Sequence, residues 1–266
     1  MEPSSWIEIA SSKVYSFSVG PSHREFTIHS ALVEAQSPVL DTLVNDTNFK
    51  EARDGHAELN EVDEETFAAF VEYAYTGRYS AADVRELSFF TDFNPVKDDY
   101  VYEYSHARVK SYPKPAIPWL NLTRIQRSKL WQKFKAAVAE AWPDTYWTCT
   151  TPGGTSAPIR IDAEVLLRHA CVYIFADSYR ISRLMRLSFY VLGKALMAPG
   201  FTEEDLVILL RYCYDEFAPE KLRQLLLWYA ACRVGRLWKT RSFQGVLEAH
   251  ADVAVAILGL IVENSN

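Results

Sequence analysis

The side chains best suited to general-base or metal chemistry in this sequence are His29, His169 and Cys171. His29 ends a run, Arg24 to His29, in which Phe26 and Ile28 alternate with polar residues as in a half-buried strand. An imidazole at the end of such a strand reads as a hydrogen-bonded structural group rather than a base. His169 and Cys171 stand two apart inside a helical pattern, which sends them to different faces, because helical neighbours sit three or four apart. No Cys-x-x-Cys or His-x-x-x-His pair completes a zinc site, so no metal or other cofactor is expected. A Gly-x-Ser-x-Gly elbow is absent. Gly153-Gly154-Thr155-Ser156 lacks the Lys and the spacing of a phosphate-binding loop and reads as a linker. The acidic pairs Glu64-Glu65 and Asp98-Asp99 are adjacent in sequence, a poor arrangement for two converging carboxylates. Nothing here is expected to be an enzyme.

The residues that suggest binding instead lie between His106 and Lys135. Arg108, Lys110, Lys114, Arg124, Arg127, Lys129, Lys133 and Lys135 occur there without a single acidic residue, interleaved with Tyr112, Trp119, Trp131 and Phe134. In a chain of net charge −6 and pI near 5.6 this is a local cationic patch. Its plain reading is a solvated helix face. Its functional reading is a protein-docking surface for an acidic segment, carried by Trp119, Arg124, Arg127 and Trp131, or contact with a phosphate backbone. The acidic balance argues against nucleic acid as the main partner, which leaves a nucleic-acid-associated regulator as the alternative. Arg236 and Lys239 make a second, weaker basic run.

Composition bounds the rest. Hydrophobic residues are 49% and charged residues 23% of the 266, an ordinary globular mixture with room for a sizeable core. Met1 to Ser5 lacks the basic start and apolar run of a secretory signal. No apolar stretch approaches the roughly 20 residues of a membrane helix, and Val253 to Val262 reads as a buried helix. Cys149, Cys171, Cys213 and Cys232 are widely spaced, three of them in apolar helical patterns, which fits reduced thiols in a cytoplasmic or nuclear protein. The sequons at Asn45 and Asn121 then read as chance matches.

The elements that must position these residues follow from periodicity. Val14 to Val19 and Arg24 to His29 read as a hairpin around Gly20-Pro21-Ser22. Ser30 is expected to cap a helix carrying Leu32, Val33 and Ala35. Pro38 starts another with Val39, Leu40 and Leu43. Ala57 to Leu59 is a short strand. Asp63 caps a helix whose stripe is Phe67, Phe70, Val71 and Ala74, and Gly77 closes it. Residues 81–160 hold many prolines and aromatics, with a helix expected only from Thr123 to Trp142, and read as an insertion. Helices then follow over Asp162 to Tyr179 and Arg183 to Leu196. Another opens at the capping box Thr202-Glu203-Glu204-Asp205, and a further one begins near Pro219. Two short helices, Ser242 to His250 and Asp252 to Glu263, end the chain.

Phe26-x-Ile28-His29-x-x-Leu32-Val33-x-x-x-Ser37-x-x-Leu40 resembles the core signature of the BTB/POZ domain. Phe67-x-x-Phe70-x-x-Tyr73-x-Tyr75-x-Gly77 resembles the helix that closes its α/β half. Ala176-Asp177-x-Tyr179 followed by Leu184 resembles its last helical hairpin. The long insertion and helical tail look similar to fungal members. The resemblance implies an α+β fold, a small sheet flanking a helical cluster, over residues 1–198 with the insertion at 81–160. An all-α extension would occupy 199–266. It implies a scaffold or adaptor that binds proteins, with Leu32, Val33, Ala35 and Val39 as contact residues. It also implies homodimerisation, although Lys13-Val14 stands where members commonly carry Asp. Phe49-Lys50-Glu51 resembles the tripeptide of members that serve as substrate adaptors for cullin-type ubiquitin ligases, which makes Phe49 and Glu51 candidate contacts with a cullin scaffold.

Overall fold

A computed structural model of the chain describes residues 6–80, 124–141, 161–198 and 200–264. They group into two compact units, residues 1–81 with 168–188, and residues 82–167 with 189–266.

The first unit opens with α1 (Trp6–Ser11), β1 (Val14–Val19) and β2 (Arg24–His29). Gly20 turns between the strands at φ 71°, a left-handed value that glycine adopts freely. The strands pair antiparallel with Phe17 opposite Phe26, and β3 (His56–Leu59) joins β1 in parallel with Phe17 opposite Ala57. The sheet order is β2-β1-β3. The alternation in β1 turns Tyr15, Phe17 and Val19 inward, each at most 1% exposed. After β2 come α2 (Ser30–Gln36), α3 (Pro38–Asn45), α4 (Lys50–Asp54) and, beyond β3, α5 (Glu64–Thr76). The expected cap at Ser30 shifts by one residue: His29 occupies the cap position without a side-chain bond, and Ser30 is the first helical residue. Asp63 does cap α5 by accepting from Thr66 N, and Gly77 closes it at φ 71°. The five- and six-residue helices α4 and α1 are too short to show a period in the sequence.

α7 (Ala163–Ser178) and α8 (Ser182–Met197) each contribute residues to both units. Within the first unit Phe175 meets Phe70 with ring centroids 5.3 Å apart, Phe70 meets Phe67 at 5.6 Å, and Phe67 meets Phe17 at 5.1 Å. This aromatic chain joins the segment that follows residues 81–160 to the sheet that precedes them. The fold is α+β.

The second unit is helical: α6 (Arg124–Glu140), the remaining parts of α7 and α8, α9 (Glu203–Asp215), α10 (Glu220–Leu237), α11 (Arg241–Ala249) and α12 (Ala251–Glu263). α9 opens on the expected capping box, with Thr202 and Asp205 each bonding the other's backbone. It ends in a Schellman turn, in which Ala218 N donates to Cys213 O and Phe217 N to Tyr214 O. Phe217 takes the left-handed position usually given to Gly, at φ 49°. α7 ends the same way, with Ile181 N donating to Ala176 O and Arg180 at φ 54°. No single helix among the described residues is long and apolar enough to cross a membrane.

Candidate functional site

The signature residues of the first unit are held by hydrogen bonds that cross long stretches of sequence. Ser37 caps α3: its Oγ accepts from Leu40 N at 3.0 Å and donates to the Tyr179 carbonyl at 2.6 Å. One hydroxyl therefore ends the α2–α3 corner and anchors the turn after α7. His29 Nδ1 lies 2.7 Å from the Tyr75 hydroxyl, which also accepts from His29 N at 3.3 Å. The imidazole ties the end of β2 to the last turn of α5, a structural role in keeping with its place in the sequence.

His169 is the second histidine that the sequence singled out. It is fully buried, and its Nδ1 lies 2.9 Å from the Tyr79 hydroxyl. Among the described residues its Nε2 has no hydrogen-bond partner. Burial, with the neighbouring Arg168 charge adding to it, holds the imidazole down at about 3, and burial pushes the Tyr79 hydroxyl up. Charging the ring would require both nitrogens to donate, and no described residue accepts from Nε2. His169 is a neutral packing group. Among the described residues no cluster of His, Cys, Asp or Glu could hold a metal ion. Cys171, Cys213 and Cys232 are thiols, and Cys149 lies outside the described residues. Burial pushes the Cys232 thiol up to about 12, far from the thiolate that nucleophilic chemistry needs.

The expected contact residues separate into three groups. Leu32 and Val33 are 5% and 0% exposed, so they belong to the core rather than to a docking face. The physical reason is that α2 turns this face inward: it is a seven-residue helix packed on α3 and α5. Ala35 is half-buried. Val39 on α3 and Phe49 at the start of α4 are exposed, at 38% and 46%, and Glu51 is half-buried in the first turn of α4. Burial, with the Glu51 and Asp54 carboxylates adding to it, pushes the Tyr15 hydroxyl up to about 12.

The basic-aromatic stretch is corrected most. Trp119 lies outside the described residues, as do Arg108, Lys110 and Lys114. Arg124 begins α6. Trp131 is 2% exposed, stacked on Phe134 at 5.0 Å, and Phe134 meets Tyr229 of α10 at 5.3 Å. Arg127 is half-buried, and its carbonyl accepts from Cys232 Sγ at 3.6 Å. Lys129 and Lys133, one turn apart, are exposed. Trp131 and Phe134, two of the four aromatics interleaved with those cations, face the core, because residues 130, 131, 134 and 138 share one side of the helix.

Sequence reading also missed exposed apolar residues: Trp6 at 68% and Ile7 at 81% on α1, and Val14 at 53% on β1. The only signal available was their hydrophobicity, which in short elements does not distinguish core from surface.

Residues 16–89 match the sequence profile of the BTB/POZ domain. No curated protein matches the chain. The matched stretch runs from within β1 through α5 and contains the His29 and Ser37 anchors and the exposed Val39 and Phe49. BTB/POZ domains are protein–protein interaction modules, and residues 16–89 of this chain are a BTB/POZ domain.

Proposed function

We propose that this chain is a non-enzymatic scaffold or adaptor that recruits another protein through the α3–α4 surface of its first unit. The observation that carries this reading is the exposure of Val39 and Phe49, at 38% and 46%, on two helices that pack on each other inside the BTB/POZ stretch. Aromatic side chains such as Phe49 are enriched in protein contacts, and charged groups such as Glu51 belong to their polar rim. The likeness of Phe49-Lys50-Glu51 to the cullin-binding tripeptide makes a cullin scaffold the proposed partner. Self-association is proposed on the exposed Trp6, Ile7 and Val14. A reducing compartment, cytoplasm or nucleus, is proposed on the buried thiols Cys213 and Cys232.

The test is calorimetric titration of the whole chain with a cullin scaffold, beside Phe49→Ala and Glu51→Lys. Saturable binding that each substitution weakens about tenfold or more is expected. Absence of binding by the unaltered chain removes the cullin partner. Light scattering is expected to return about twice the 30.4 kDa chain mass. A value equal to one chain at tens of micromolar removes the homodimer.

A further inference from the structure

The end of the second unit leaves a continuous apolar surface in solvent. α12 buries Val253, Ile257 and Leu260, at 0%, 4% and 9% exposure. At roughly 100° per residue, Ala251, Val255, Leu258 and Val262 fall on one stripe turned away from that buried side. Val255 is 69%, Leu258 44% and Val262 67% exposed. Beside the stripe runs a groove of about 360 Å³, lined by Val234 of α10 and Trp238 at its C-cap, Leu247 of α11, and Leu258 and Ile261 of α12. Leu258 belongs to both, so stripe and groove form one surface. A Cβ added at Gly259 would meet nothing within 4 Å, so this side of the helix has open space over it.

The borders of this surface are acidic on both sides. Glu248 lines the groove, while Asp252 and Glu263 fall on the far edge of the stripe, and all three are exposed. From residue 242 to 266 the chain contains no Lys or Arg. We propose that this surface binds an amphipathic helix of another protein, apolar on one face and rich in Lys or Arg along its flanks. Apolar side chains would enter the groove at helical spacing, and the flanking cations would meet Glu248 on one side and Asp252 and Glu263 on the other. A second copy fits less well, since the same face meeting itself brings like carboxylates together. A membrane surface fits less well too: α11 and α12 are bent by 105° and carry no Lys or Arg to meet anionic headgroups beyond Arg241 at the first position of α11. The surface lies outside residues 16–89 and goes beyond the scaffold reading.

The probe is a fluorescent synthetic Leu–Lys amphipathic helix of about 18 residues, titrated into the whole chain and followed by anisotropy. A Leu–Glu helix of the same pattern is the control. Saturable binding of the Leu–Lys helix is expected, with the Leu–Glu helix at least about tenfold weaker. Leu258→Asp and Val255→Asp, both at exposed positions, are expected to weaken binding about tenfold with an unchanged thermal melt. Added negative charge would strengthen unspecific attraction to a Lys-rich peptide, so a loss of affinity reports the apolar contact. Equal binding by the unaltered chain and Leu258→Asp overturns the proposal, as does equal binding of both peptides or none of either. Two further results also overturn it: self-association in light scattering that Leu258→Asp abolishes, or retention on phosphatidylcholine–phosphatidylserine vesicles that it abolishes. Cullin binding retained by Leu258→Asp separates this outcome from failure of the α3–α4 surface.

Discussion

His169 shows how one buried side chain sets a condition on the first unit. Its folded value, about 3, lies below the ordinary 6.5, so the folded ring stays neutral where the unfolded ring takes up a proton. The stability it permits is therefore fully present above pH 6.5 and is lost as pH falls from there toward 3. Between pH 7 and pH 5 the loss amounts to about 2 kcal/mol, from one proton bound only by the unfolded chain. Urea unfolding followed at both pH values is expected to show this loss in the unaltered chain and to lose most of it in His169→Gln, which cannot be charged. An equal pH dependence in the two proteins would place the titration elsewhere. Ser37 illustrates a different economy, because its one hydroxyl serves as helix cap and as donor to the Tyr179 carbonyl. In the second unit Glu203 meets Arg233 at 2.5 Å. Burial alone would raise the Glu203 carboxyl, but the hydrogen bond and charge of Arg233 outweigh it and hold the group below its ordinary value.

Between elements, the approach of α6 to α8 depends on a residue that helix propensity disfavours. Gly193 sits mid-helix, and a Cβ built there would penetrate the Val138 side chain of α6. Gly193→Ala would gain about 1 kcal/mol of helix propensity and lose about 1–3 kcal/mol to overpacking. A net loss of stability is expected in chemical denaturation, with recovery in the double variant Val138→Ala/Gly193→Ala. A single variant more stable than the parent would show that the helices part at no cost. The same element shows why composition misleads: Lys129 and Lys133 point to water while Trp131 and Phe134 fill the space against α10.

At the scale of the molecule, the first unit is assembled from segments far apart in the chain. Phe175 is 5% exposed and touches Phe67 and Phe70, so it covers aromatic rings contributed from before residue 81. Phe175→Ala is expected to cost about 3–5 kcal/mol, the usual penalty for an aromatic removed from a core. Hydrogen exchange should then show lost protection at the amides of Phe17 and Val19 in β1. Full protection there would mean that residues 1–81 hold their sheet without the later segment.

Local pattern was enough for the hairpin β1–β2, the Asp63 and Thr202 caps, the Gly77 stop and the BTB/POZ signature, because each depends on residues within a few positions of one another. The helices α1 and α4 are not legible in the sequence, since one turn or so shows no period. Three matters were decided only by the tertiary structure. Leu32 and Val33 became core, Trp131 left the expected docking surface, and Val255, Leu258 and Val262 stayed in water on a helix that reads as buried. In each case the side chain is apolar and compatible with its helix. Whether it meets protein or solvent depends on which distant element arrives to cover it, and residues 6–80 gain their cover from a segment beginning at residue 168. Pairing across that separation is a property of the folded chain's packing, and periodicity, which reports only which residues share a face, carries no record of the partner.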